Sequence, residues 1–171
     1  KIAAQQGIDF DERTKLQVIQ DLRKTGIDPV PQIPLSAYLE ERRFVVGETP
    51  QVSLAGISQR MTVFCNEGGE WTVFLSDRFG FNNPDSVWDQ LQTDGVLLGD
   101  SFTHGACVNP GENIAGQLRE LTRKSFINLG MDSSGPLAQL AILVEYGLSK
   151  KPKNVFWVYF EGNDLLEMDN E

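Results

Sequence analysis

The sequence predicts an α/β fold built on a parallel sheet, and three observations carry that prediction. From Asp94 onward, short apolar runs at 96–98, 126–129 and 154–160 alternate with helix-patterned stretches at 112–124 and 137–148. The runs are apolar at successive positions, as in strands covered by helices on both faces, which is the habit of parallel sheets. The residues just past each run are Gly99-Asp100-Ser101, Gly130 and Gly162-Asn163-Asp164, and in such sheets function gathers at the strands' carboxyl ends.

Residues 1–93 follow a different grammar and read as an appendage to an α/β domain at 94–171. A helix is expected over 9–25, with Asp9, Asp11 and Glu12 at its start, Leu16, Ile19 and Leu22 on one face beside Val18, and Gly26 as its stop. The segment "DPVPQIP" at 28–34 must be extended, since its prolines fix φ and lack N–H donors. A short helix follows around 37–42. "RMTVFCNEGGEWTVFLSD" places two β-prone runs around Glu67-Gly68-Gly69 and reads as a hairpin. "RFGFNNPDS" (78–86) is a turn-rich connection. In the α/β part, Ile114, Leu118 and Leu121 form the expected inner stripe of the 112–124 helix, and 154–160 reads as a continuous buried strand.

Composition narrows the function classes. A chain of 171 residues with 40% hydrophobic content suits a globular domain with its own core. The net charge of -9 argues against binding a phosphate backbone; Lys150, Lys151 and Lys153 read as the solvated end of a helix. No apolar run approaches the ~20 residues of a membrane span, and the sequence contains no charged-then-apolar leader ending in a cleavage site; it begins at Lys1 rather than methionine, so that absence says little about targeting. One histidine and two distant cysteines match no metal-ligand spacing, so neither a metal nor a cofactor is expected. Cys65 and Cys107 are equally consistent with a disulfide and with two buried thiols.

The chemistry is argued at the three strand ends. A serine at a strand-to-helix turn projects its hydroxyl from the top of the sheet, with helix N-terminal amides beside it, an arrangement suited to acyl transfer. The oxyanion that forms when Ser101 attacks a carbonyl needs donors already aimed at it. The Ser101 amide, the Gly130 amide and the Asn163 side-chain NH2 are the expected donors. Taken singly, Ser101 reads as a helix N-cap, Gly130 as a turn glycine and Asn163-Asp164 as a capping pair; their joint placement raises the functional reading. His104, three residues after Ser101, could approach the hydroxyl as its base. It reads more readily as a pocket-lining or surface residue, and Asp100 as a structural residue holding the turn.

These residues resemble a known family. "GDSFTHG" resembles the first block of the SGNH (GDSL-type) hydrolases, "FINLGMDSSGP" their second and "FEGNDLL" their third, while "SDRFGFNNPDS" resembles a segment of envelope-associated members that act on polysaccharides. The resemblance covers about 77–166. It implies a flavodoxin-like three-layer α/β/α fold, with Ser101 as nucleophile and Gly130 and Asn163 in the oxyanion hole. It also implies a carbohydrate O-acyl ester, preferably an acetyl ester, as substrate, and a location outside the cytoplasm. Glu161 departs from the third block, where the family has glycine. The fourth block, Asp-x-x-His, which supplies base and orienting acid, has no counterpart before Glu171. The expectation is therefore a half-sheet that needs a complementary fragment or a second copy of itself. The competing reading is a non-catalytic carbohydrate- or partner-binding module, for which Trp71, Trp88 and Trp157 offer stacking surfaces, although Trp157 lies in the expected buried strand. A phosphate-binding flavodoxin-like domain is weaker, because Asp100 stands where an anion would sit and no GxGxxG follows.

Overall fold

The structure is a computed structural model that describes residues 9–41, 44–46 and 48–168. Helix α1 spans Lys15–Lys24 and starts later than the sequence suggests because Thr14 caps it: the Gln17 N–H donates to Thr14 Oγ1 at 3.3 Å, and the Thr14 N–H to Gln17 Oε1 at 2.8 Å. Residues 9–14 instead run extended against the hairpin, with the Asp11 N–H on the Gly69 carbonyl at 2.7 Å. Val18 and Ile19 are buried against Val63, whereas Leu16 faces water.

The extended proline segment supplies strand β1 (Val30–Pro31), parallel to β4 (Met61–Val63); β4 pairs antiparallel with β5 (Val73–Leu75) in the expected hairpin. Between them lie helix α2 (Leu35–Glu41) and a small antiparallel pair, β2 (Phe44–Val46) with β3 (Thr49–Gln51), that the sequence did not announce. Leu35, Ala55, Phe81 and Trp88 share one core with Val96, Leu98, Ile127 and Ile142. Packing therefore runs unbroken across residues 93 and 94.

The second half is α/β. Central strand β6 (Gly95–Gly99) is flanked by β7 (Phe126–Asn128) and β8 (Val155–Val158), both parallel to it, in the order β7-β6-β8. Helices α3 (Ser101–His104), α4 (Ile114–Thr122), α5 (Pro136–Ile142, continuing as tighter and wider turns to Lys150) and α6 (Asp164–Met168) complete it. In α4 the inner face is Ala115 and Leu118, so of the predicted stripe only Leu118 points inward. Asn113 caps the helix, and Gly116 sits where a Cβ would lie 2.0 Å from the Gly111 carbonyl oxygen. That contact fixes the rotation and leaves Ile114 and Leu121 exposed. Of the basic cluster, Lys150 reaches the Trp88 and Gln90 carbonyls, and Lys153 pairs with Asp94 at 2.8 Å.

The expectation of a buried 154–160 strand is overturned. All five residues of β6 are buried, but Val155, Phe156 and Trp157 are 45%, 42% and 56% exposed, because among the described residues nothing pairs with the outer edge of β8. The outer edge of β7 is closed instead by a side chain. Asn83 Oδ1 accepts the Asn128 N–H at 2.8 Å and Asn83 Nδ2 donates to the Asn128 carbonyl at 2.9 Å, as a neighbouring strand would. Asn83 is held by fully buried Asp77, whose carboxylate accepts from Asn83 Nδ2, Trp88 Nε1 and the Phe79 and Phe81 amides. Burial pushes the Asp77 carboxyl above its usual range, and these donors oppose that shift.

Candidate active site

Strand β6 ends at Gly99, where φ is +152° and a Cβ would lie 2.2 Å from Thr103 Oγ1 and 2.7 Å from the Val158 carbonyl oxygen. Only glycine fits this turn. Fully buried Asp100 caps α3, accepting the Phe102 N–H on Oδ1 at 2.9 Å, in line with its structural reading. Helix α3 then stops after one turn at Gly105, whose φ is +87°. It brings Ser101 little of the helix dipole expected for a longer element.

Ser101 is half-buried and its hydroxyl has no hydrogen-bond partner among the described residues. It lines a cavity of about 340 Å³ with Glu67, Phe102, Val108, Glu112 and Ile114. One wall belongs to the hairpin and another to the loop after α3. A disulfide between Cys65 and Cys107, with Cα atoms 5.2 Å apart, joins them and resolves the open cysteine question.

His104 neither lines the pocket nor lies on the surface. Because α3 is a single turn folded onto the β4–β5 hairpin, the ring is fully buried, with centroids 4.6 Å from Phe64 and 5.6 Å from Phe74. Nδ1 accepts the Asp132 N–H at 3.3 Å, which leaves the proton on unpartnered Nε2, and burial lowers the pKa to about 3. A neutral ring locked this way does not serve Ser101 as base.

The other predicted residues stand at the ends of the flanking strands. Gly130 follows β7 and passes so close behind α3 that a Cβ would lie 2.3 Å from the His104 backbone nitrogen. Its N–H donates to Asn128 Oδ1 at 2.9 Å. Asn163 precedes α6 and donates Nδ2 to Glu167 Oε1 at 3.1 Å. Two of the three expected oxyanion donors are thus engaged by side-chain acceptors.

Sequence reasoning missed Asp132 and Glu167. With Asp100 and Asp164 they form a group of carboxyls that feel one another: burial, then repulsion from Asp100, raises Glu167 to about 7, and burial raises Asp132 and Asp164. Asp100 Oδ2, Asn163 Oδ1, Asp164 Oδ1 and Glu167 Oε2 are buried without a donor among the described residues. The legible signal for Glu167 was its helical i+4 spacing from Asn163. Among the described residues no cluster of three or more His, Cys, Asp or Glu side chains is arranged to hold a metal ion, and no helix is long and apolar enough to cross a membrane. No family profile, curated protein or solved structure matches the chain.

Proposed function

We propose that the protein is a serine ester hydrolase of the SGNH type, acting on an O-acyl group, preferably acetyl, of a carbohydrate. The carrying observation is the position of Ser101. It follows the central strand of a parallel sheet whose next strands lie on opposite sides, so its unpartnered hydroxyl opens at the point where the strand order reverses, beside a cavity. Doubly wound sheets bind ligands at that point, and the order β7-β6-β8 corresponds to the 2-1-3 start of a flavodoxin-like sheet. In the proposed reaction Ser101 Oγ attacks the ester carbonyl and loses its proton to a base. The tetrahedral oxyanion takes up the Ser101 amide and draws Gly130 N–H and Asn163 Nδ2 away from Asn128 Oδ1 and Glu167 Oε1, and the alcohol leaves with a proton. Water then hydrolyses the acyl-enzyme.

The base comes from outside the described residues, on a segment that extends the sheet along β8. Two features support this: the edge of β8, which nothing pairs among the described residues, and the buried oxygens of Asp100, Asn163, Asp164 and Glu167, which have no donor among them. Exposure of the oxidised protein to a fluorophosphonate, followed by intact-mass analysis, tests the reading. One adduct that disappears in Ser101→Ala supports an activated serine. The second reading, a carbohydrate- or partner-binding module without catalysis, is favoured by the locked state of His104, and predicts no adduct.

A further inference from the structure

A second cavity, of about 570 Å³, lies between helix α1, the segment before it and the β4–β5 hairpin. Its floor is Trp71, half-buried, with part of the indole against the Val18–Ile19–Val63 cluster. The ring is fixed: Nε1 donates to the Arg13 carbonyl at 3.0 Å. The segment carrying Arg13 is itself pinned to the hairpin turn, since Asn66 Nδ2 donates to the Asp11 carbonyl at 2.9 Å and Asn66 Oδ1 accepts the Gly69 N–H at 2.9 Å.

Around that floor stand groups of both hydrogen-bonding senses. The Arg13 guanidinium pairs with Asp11 at 2.6 Å and Asp21 at 3.1 Å, which uses three of its five N–H bonds and leaves two donors. Glu70 is exposed and adds a carboxylate acceptor that has no partner among the described residues. A rigid aromatic face ringed by donors and acceptors matches the two-sided chemistry of a sugar ring, whose C–H face stacks while its hydroxyls bond outward. With carboxylates outnumbering the one paired cation, the rim repels an acidic ligand.

We propose that this cavity is a sugar-binding subsite for a saccharide unit that bears no acidic group. Glu67 of the same hairpin lines the Ser101 cavity while Gly69, Glu70 and Trp71 line this one, so a glycan held at Trp71 lies one hairpin away from the serine. Reading that glycan as the ester substrate rests on the esterase proposal; the binding does not.

The test is an NMR titration of the Trp71 indole N–H in the oxidised protein with oligosaccharides of glucose, mannose, galactose and N-acetylglucosamine, and with oligogalacturonate. At least one neutral oligosaccharide is expected to shift the signal. Trp71→Ala should weaken that binding on the order of tenfold, and Trp71→Phe, which keeps a stacking ring, much less. Glu70→Ala, at an exposed position that leaves the core intact, should weaken it severalfold. The proposal is overturned if no neutral oligosaccharide moves the Trp71 signal, if Glu70→Ala and a folded Trp71→Ala bind like the parent, or if oligogalacturonate binds as well. Fluorophosphonate labelling of Ser101 is read separately, so loss of the esterase reading and loss of this subsite are distinct results.

Discussion

Strands β7 and β8 flank the same central strand in the same parallel sense, yet their outer edges are treated in opposite ways. The β7 edge is answered by Asn83, anchored through Asp77 and Trp88 and backed by Arg119, which donates to the Phe126 carbonyl at 2.7 Å. Among the described residues nothing pairs with the β8 edge, and Val155 and Leu140 around it are 45% and 56% exposed. An unpaired parallel edge with apolar residues on its strand and covering helix is a surface built to be covered. The difference teaches that stability is concentrated on the β7 side, and that the chain's unmet demand lies on the β8 side, next to Asn163 and Glu167.

The largest effect expected from attacking this contrast is at Asp77. Asp77→Ala strands four donors in the core and should cost roughly 4 to 5 kcal/mol, measured by denaturant unfolding. Cys65→Ser with Cys107→Ser opens a link spanning 42 residues; the chain-entropy argument puts that loss at about 4 kcal/mol, read in the same assay. Asn83→Ala should cost about 3 kcal/mol and speed exchange of the Asn128 amide, which hydrogen exchange detects directly.

The β7 side also carries a pH dependence. His104, whose carbonyl accepts from Asn82 at 2.9 Å, has a folded pKa of about 3, below its ordinary value. The unfolded chain therefore binds the proton first, and stability present above about pH 6.5 falls as the pH drops toward 3. His104→Phe should flatten that acid slope in thermal unfolding, at the cost of an unpaired Asp132 N–H. The smallest effect belongs to β8: Val155→Lys should change stability by less than about 1 kcal/mol while reducing self-association in sedimentation, because the side chain is 45% exposed and has no polar partner to lose.

How much of this was legible in the sequence follows from the same contrast. The apolar runs located all three parallel strands, and the Gly-rich turn located the hairpin, because those signals are local. Apolar character at 154–160 says that a strand is meant to be covered, but not by what, so burial was inferred where exposure is found. Asn83 read as part of a turn because its partner, Asn128, lies 45 residues away. For His104 the spacing to Ser101 was right and the conclusion wrong: one turn of helix ending at Gly105 sends the ring inward between Phe64 and Phe74.

The Cys65–Cys107 bridge bears on how the protein must be produced. It joins the hairpin that walls both cavities to the loop three residues beyond His104. Material made in a reducing cytosol would carry the same sequence with its two cavities held in register by packing alone. Esterase and glycan assays therefore bear on this architecture only when the protein has passed through an oxidising compartment or been refolded with its thiols paired.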